Sequence, residues 1–224
     1  MTDHQTTSSN AALLILEDGR TFRGRSYGAQ GTALGEAVFA TGMTGYQETI
    51  TDPSYARQLV VQTAPHIGNT GVNREDAESR RIWVAGYIVR DAARRPSNWR
   101  SERSLDEELI EQGIIGIQGV DTRAITRHLR ERGAMKAGIF SGQEAARPMP
   151  ELLAEVNGQA SMEGARLAEE VSIDRKALSA GWFMTPNILV KGEYVQQNYN
   201  DFPSADIRNG GTFDGFVVEG VIAF

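Results

Sequence analysis

Short apolar runs, each bounded by a turn or a helix-capping signal, constrain the fold of this chain more than any other feature of its sequence. The first two, 11–16 and 21–22, flank Asp18-Gly19, a dipeptide that favours a β-hairpin because glycine accepts a positive φ. Further strand-like runs follow along the chain, at 36–39, 57–63, 82–90, 114–120 and 134–140. The pattern predicts several short strands that begin with a hairpin.

Helix signals lie between the later strands. A capping box begins at Ser104 and a stop glycine follows at Gly113, so we predict a helix over 105–112. Asp121 can cap a second helix that ends near Gly133. Asn73 and Ser161 as caps, and Pro150 in a first turn, predict further helices at 73–81, 150–156 and 161–171. Strands first, then alternating helices and strands, predict a mixed α/β domain whose sheets are covered by a few helices.

The composition excludes several classes of protein. Hydrophobic residues make up 40% of the 224 residues, which is enough for a sizeable core. The formal net charge of -6 argues against a broad basic face for nucleic acid, which needs a surplus of Lys and Arg. No apolar run approaches the roughly 20 residues that span a bilayer, so no membrane association is predicted. Residues 1–10 are polar, with no apolar signal core, and predict a disordered lead and a cytoplasmic protein.

The sequence contains no cysteine, which excludes disulfides, thiolate metal ligands and a thiol nucleophile in these residues. The three histidines, His4, His66 and His128, are too scattered for a helical zinc-binding pair, and we predict no metal site. His128 falls near the apolar face of a predicted helix and is interpreted as a packed structural residue. His66 follows Pro65 in a loop, where surface and catalytic roles both remain open.

Three glycine-rich segments invite functional interpretations. The segment 24–28 fits G-x-S-x-G, in which Ser26 would be a nucleophile on a strand-to-helix turn. A hairpin precedes Ser26 and more glycines follow it, which discourages the helix, so we reject this interpretation and predict no catalytic residue. The segments 42–48 and 66–71 lack the P-loop lysine and the dinucleotide-binding spacing, and we interpret them as tight turns.

A basic loop over 90–103 contains a cluster of arginines with Trp99 inside it. One interpretation is a solvated loop. The other is a partner-binding surface, because Arg and Trp are enriched at the hot spots of protein interfaces. Both interpretations remain open at the level of sequence.

The residue strings themselves carry a resemblance that spacing rules do not show. The strings are LILEDG at 14–19, FRGR at 22–25, GEAVFATGMTGYQE at 35–48, TDPSY at 51–55, PHIGN at 65–69, RPSN at 95–98 and GVDTRAITRHLR at 119–130. Together they resemble the opening of the small subunit of carbamoyl-phosphate synthetase. The resemblance runs from about residue 11 to about residue 172, and its long, ordered matches make it specific.

The resemblance implies a layered β/β/α domain over 11–172 that packs against a large, ATP-using subunit in a heterodimer. In that family the next domain is a class I glutamine amidotransferase with a Cys-His-Glu site, and its ammonia travels to the large subunit. There ammonia is joined with bicarbonate, at the expense of ATP with Mg, to give carbamoyl phosphate for arginine and pyrimidine synthesis. The resemblance implies no cofactor in this chain.

One family contact is carried over by the resemblance. The serine of Asp-Pro-Ser-Tyr touches the glutamine bound in the neighbouring domain, which points to Ser54 as a glutamine-binding residue. A hydroxyl can donate to or accept from a substrate amide or carboxylate. The alternative is that Ser54 only caps a turn after Pro53.

Residues 173–224 depart from the family pattern, because an amidotransferase domain of about 200 residues is expected there. Three explanations stay open: a truncated or frame-shifted small subunit, a stand-alone domain with a new tail, or an amidotransferase on a separate chain. The apolar run that ends at Phe224 favours the first. The competing function is a non-catalytic interaction module whose tail forms a new partner surface.

Overall fold

The computed structural model describes residues 10–162, 164–171, 175–185, 188–199 and 211–222. The chain divides into two compact units, Met1–Ala165 and Arg166–Phe224. The predicted disordered lead lies outside the described residues, apart from Asn10. In the described part of the chain, no helix is both long enough and apolar enough to cross a bilayer.

The described residues of the first unit form a strand-rich domain. Its strands are β1 (Ala11–Leu16), β2 (Thr21–Gly28), β3 (Thr32–Ala40), β4 (Gln58–Gln62), β5 (Gly86–Ile88), β6 (Ile115–Gln118) and β7 (Met135–Ser141). Its α-helices are α1 (Tyr46–Thr51), α2 (Leu105–Glu111), α3 (Thr122–Arg132) and α4 (Met149–Gly158). The second unit holds α5 (Leu167–Val171), β8 (Arg175–Thr185), β9 (Ile188–Tyr199) and β10 (Gly211–Ile222).

The strands of the first unit close into a barrel in the order β1-β2-β6-β5-β4-β3-β7. β1 and β2 form the predicted antiparallel hairpin, and Gly19 in its turn has a φ of 84°. β3, β4, β5 and β6 are successively parallel. Parallel strands bring their carboxyl ends to the same edge, so the loops that follow these four strands share one end of the barrel.

β1 shows why the strand-forming runs are apolar without alternation. Leu14 and Leu16 belong to the cluster that fills the barrel, together with Ile125 of α3. Leu13 and Ile15 face the other way and pack with Leu152 and Val156 of α4. A strand that is buried on both faces needs apolar residues at every position, which explains the continuous run.

A second outer cluster covers β4 and β5. Tyr87 of β5 packs there with Ile50 of α1 and with Leu105 and Leu109 of α2. β1 and β7 lie across the barrel from β4 and β5, so the layers follow in the order helix α4, strands, strands, helices α1 and α2. The mixed α/β class that the sequence predicts is confirmed.

The predicted helix over 73–81 is wrong, since these residues form bends. The side chain of Asn73 does accept from the backbone N–H groups of Glu75 and Asp76, at 2.8 and 2.9 Å, as a helix cap would. The residues that follow form hydrogen bonds with α1 instead of with one another. The Glu78 N–H donates to the Thr51 hydroxyl at 3.0 Å, and the Ser79 hydroxyl donates to the Thr51 carbonyl at 2.6 Å. Tertiary hydrogen bonds have replaced the helical ladder.

Two further predictions need correction. The strand predicted over 82–90 is regular only over Gly86–Ile88, although it is buried as expected. The segment 42–48 was predicted to be a turn, yet its last residues begin α1 at Tyr46 after Gly45, whose φ is 76°. By contrast, the capping box of Ser104 with Glu107 and the Asp121 cap of α3 are confirmed.

The second unit is an antiparallel sheet in the order β10-β9-β8. Tyr194 in the central strand pairs with Phe216 of β10, and their rings lie 5.2 Å apart. Phe216, Val218 and Trp182 are all more than two-thirds exposed. One face of this sheet therefore carries large apolar side chains in solvent.

Candidate functional site

Ser54 lies in a short 3-10 turn, Pro53–Tyr55, between α1 and β4. The turn is capped by Asp52, whose side chain accepts from the Ser54 backbone N–H at 2.8 Å. Pro53 favours this turn because its φ is fixed and its missing N–H is not needed at the first position. Ser54 itself is exposed, so the turn leaves it accessible to solvent.

The Ser54 turn is held on both sides by the domain. The backbone N–H of Trp83 donates to the carbonyl of Ile50, which lies just before the turn, at 2.9 Å. Just after the turn, Ala56 pairs with Val84 in an antiparallel bridge. An exposed residue on a fixed backbone is a suitable contact for a neighbouring domain, because little order is lost on contact.

A cavity of about 350 Å³ lies near the same end of the barrel, beside the starts of β4 and β7. Glu17, Glu36, Arg57 and Lys136 line it. The Lys136 ammonium already donates to the Gln159 carbonyl at 2.6 Å, and its backbone N–H donates to Glu17 at 3.1 Å. The Lys136 ammonium and the Glu17 carboxylate are therefore engaged with backbone groups, and we assign this cavity no ligand.

Ser26, rejected as a nucleophile, lies inside β2 and is buried. Its hydroxyl donates to the Ala11 carbonyl at 3.3 Å. A nucleophile of this motif type must stand on a sharp turn into a helix, and Ser26 does not. The structure agrees with the sequence-based rejection.

His128 is buried on α3 and joins a polar network that the sequence did not reveal. Its Nδ1 lies 3.0 Å from the Arg20 guanidinium, and its Nε2 lies 2.6 Å from an Asp18 carboxylate oxygen. Since arginine can only donate, Nδ1 accepts, and the proton on Nε2 is donated to Asp18. Burial raises the pKa of Asp18, but hydrogen bonds from Arg20 and His128 outweigh it and leave this pKa below its usual value. The network holds the first hairpin against α3.

The loops that follow β4 and β5 are hydrogen-bonded to each other and form one surface at the carboxyl ends of these strands. The Ile67 N–H donates to the Asp91 carbonyl at 2.9 Å, and the Ser97 N–H donates to the Asn69 carbonyl at 2.8 Å. The Nδ1 of His66 lies 2.8 Å from a carboxylate oxygen of Asp91, and half of the His66 side chain is exposed. Trp99 is 91% exposed. This surface includes the basic loop over 90–103.

Comparison with known proteins identifies the domain that carries these features. The family model described as the carbamoyl-phosphate synthase small chain, CPSase domain, matches residues 14–139. The carbamoyl phosphate synthase small chain of Streptomyces avermitilis is 70% identical over 161 residues, which cover 72% of this chain and 42% of that relative. The corresponding chain of Mycobacterium tuberculosis is 65% identical over 163 residues, which cover 72% and 43%.

The chain belongs to the carbamoyl phosphate synthase small chain family. The family match takes in β2 to β6, parts of β1 and β7, Ser54 and the basic loop. The chain spans a little over two-fifths of the length of these curated relatives. β8, β9 and β10 lie beyond the region matched by the family model.

The structure separates Ser54 from the basic loop. Ser54 precedes the amino end of β4, whereas the loops around Trp99 follow the carboxyl ends of β4 and β5. The five residues of β4 alone span about 16 Å. The sequence pointed to both features, but only the parallel strand order shows that they belong to different ends of the barrel.

Proposed function

We propose that this chain acts as the N-terminal part of a carbamoyl phosphate synthase small chain. It docks on the large chain, and Ser54 contributes to the pocket for glutamine. The complete enzyme makes carbamoyl phosphate from glutamine, bicarbonate and ATP, for arginine and pyrimidine synthesis in the cytoplasm. ATP and Mg are used by the large chain, and this chain holds no cofactor. The family match across the barrel, with Ser54 exposed on a fixed turn, supports the proposal.

The same proposal gives this chain no glutaminase activity of its own. Glutamine hydrolysis in the family needs a thiol nucleophile, and these 224 residues contain no cysteine. A thiolate attacks the amide carbon because it is a far stronger nucleophile than a hydroxyl at neutral pH. The expected contribution of this chain is therefore docking and shaping, while ammonia release requires an amidotransferase domain.

Assembly with a large chain tests the proposal. The chain is mixed at micromolar concentration with the large chain of the Streptomyces avermitilis synthase and analysed by size-exclusion chromatography. A one-to-one complex is expected, which forms carbamoyl phosphate from ammonia but not from glutamine. The absence of a complex would contradict the docking role, and glutamine-dependent ammonia release by the pure chain would contradict the assignment of no glutaminase activity.

The role of Ser54 needs a complete small chain. Residues 11–172 can replace the matching region of the Streptomyces avermitilis small chain, to which they are closely similar. Ser54→Ala in this chimera should raise the KM for glutamine by about three- to tenfold, the value of one neutral hydrogen bond. Ser54→Thr keeps the hydroxyl and is the matched control. Ammonia-dependent activity should be unchanged in both, and an unchanged KM in Ser54→Ala would remove Ser54 from the pocket.

A second candidate function, a non-catalytic interaction module, is favoured by one observation. The described tail strands form a sheet that exposes Trp182, Phe216 and Val218. Large apolar side chains gathered on one exposed face are typical of interaction surfaces. Limited proteolysis tests this function: a tail that resists cleavage as the barrel does supports it, and rapid loss of residues 173–224 counts against it.

A further inference from the structure

The basic loop presents an indole that the domain leaves uncovered. Trp99 is 91% exposed, although tryptophan side chains are highly buried on average in folded proteins. Trp83, by contrast, is buried and donates from its ring nitrogen to Ser79 at 2.7 Å. An exposed tryptophan keeps its apolar area available for burial against a partner.

The backbone on both sides of Trp99 is fixed before any partner binds. The Asn98 side chain accepts from the Arg100 N–H at 2.8 Å, and the Ser101 N–H donates to the Asn98 carbonyl at 3.1 Å. The Ser97 N–H donates to the Asn69 carbonyl, which ties the turn to the loop after β4. Binding through a turn that is already ordered loses little conformational entropy.

An ion-pair clamp adds to this order. The Arg100 guanidinium lies 2.6 Å from Asp76 and 3.0 Å from Glu75. Hydrogen bonds from Asn73 and Arg100 hold the pKa of Asp76 below its usual value. The clamp joins the turn that carries Trp99 to the segment beside α1. Two segments therefore hold the backbone next to the indole in place.

Two arginines of the basic loop have no such engagement. Arg94 and Arg95 are exposed and form no ion pair with any residue that the structure describes. Asp91, an acidic residue of the same loop, is already paired with His66. Two unpaired guanidiniums and an exposed indole in one loop favour an apolar pocket that is rimmed by carboxylates.

We propose that Trp99, Arg94 and Arg95 form the anchor through which this chain docks on the large chain of the synthase. The inference rests on the proposed function and names the surface that performs it. The position of the loop supports this occupant. Docking at the carboxyl ends of β4 and β5 leaves the Ser54 turn, before the amino end of β4, uncovered for the amidotransferase domain.

Binding of the chain to the purified large chain, measured by isothermal titration calorimetry at two salt concentrations, tests the anchor. Trp99→Ala should weaken binding by at least about 30-fold, as expected for a hot spot. Trp182→Ala, which removes another exposed indole, should change it less than twofold. Arg94→Ala with Arg95→Ala should weaken binding and reduce its salt dependence. Arg127→Ala with Arg130→Ala on α3 removes two exposed arginines and is the matched control.

The outcomes separate this inference from the proposed function. If the unaltered chain binds and Trp99→Ala binds equally well, the anchor is wrong and the proposed function stands. If the unaltered chain does not bind, both are overturned. If Trp99 is required only for binding of a single-stranded RNA oligonucleotide, the surface serves nucleic acid and the anchor is again wrong. Thermal melting of each variant checks that folding is retained. The double substitution at Arg94 and Arg95 tests the same surface independently of Trp99.

Discussion

The barrel and the sheet of the second unit are both made of strands, but they differ in what covers those strands. In the barrel, side chains such as Leu14 point into a shared core while their neighbours pack under a helix. In the sheet, strands of 11 and 12 residues are longer than any in the barrel, yet Trp182, Phe216 and Val218 remain largely exposed. Strand length does not stabilise a sheet unless another layer buries its apolar face.

The largest loss of stability is expected from a substitution that creates a cavity in the barrel core. Leu59 is fully buried in the barrel core, against Gly86, at which an added Cβ would lie 2.8 Å from the Leu59 side chain. Leu59→Ala should lower the free energy of unfolding by about 2–5 kcal/mol in urea denaturation. Val218→Ala, at a position that is 74% exposed, should change it by less than about 0.5 kcal/mol. Equal losses would show that the sheet supports the fold as much as the barrel does.

A smaller effect is expected from the polar network between the hairpin and α3. Because the pKa of Asp18 is lowered on folding, its contribution is present above its unfolded pKa and is lost as the pH falls through its folded pKa. Asp18→Asn should therefore cost about 1 kcal/mol near pH 6 and progressively less below pH about 4. Urea midpoints across this pH range measure the difference.

The matched change for Asp18→Asn lies in the sheet. Asp214 accepts from the Tyr194 hydroxyl at 3.2 Å at an exposed position. Exposed polar pairs contribute little because water solvates both groups when the pair separates. Asp214→Asn should leave the urea midpoint unchanged at every pH, and a loss as large as that of Asp18→Asn would remove the contrast between the two regions.

The smallest effect, of opposite sign, is expected in the outer cluster of the barrel. The Tyr87 hydroxyl is buried without a hydrogen-bond partner among the described residues. Burial accordingly raises the pKa of Tyr87 well above its usual value. Tyr87→Phe removes an unsatisfied polar group at constant shape and should be neutral or stabilising by up to about 1 kcal/mol.

Tyr46→Phe is the control for Tyr87→Phe. The Tyr46 hydroxyl donates to the Gly71 carbonyl at 2.6 Å and bonds the Thr70 hydroxyl at 2.7 Å, so its loss should cost about 1 kcal/mol. Thermal melting of the two variants gives the comparison. A large destabilisation by Tyr87→Phe would show that its hydroxyl has a partner, such as a buried water.

The elements that could be predicted are those whose signals are local. The hairpin at Asp18-Gly19, the capping box at Ser104 and the cap at Asp121 depend on residues within a few positions of one another. The helix over 73–81 failed although its cap formed, because Gln47 and Thr51 of α1 bind the same backbone. These bonds come from residues more than twenty positions away and replace the helical hydrogen bonds, so no local sequence pattern predicts them.

The candidate site divides in the same way. The sequence by itself determined the family, the absence of a thiol in these residues, and the residue types at Ser54 and in the basic loop. Only the tertiary structure showed that β4 and β5 are parallel, so that Ser54 precedes one end of this pair while the basic loop follows the other. It also left Arg94 and Arg95 without an ion partner among the described residues. Which groups are engaged and which are exposed depends on strand order and on contacts between distant segments, and these arise when the barrel closes.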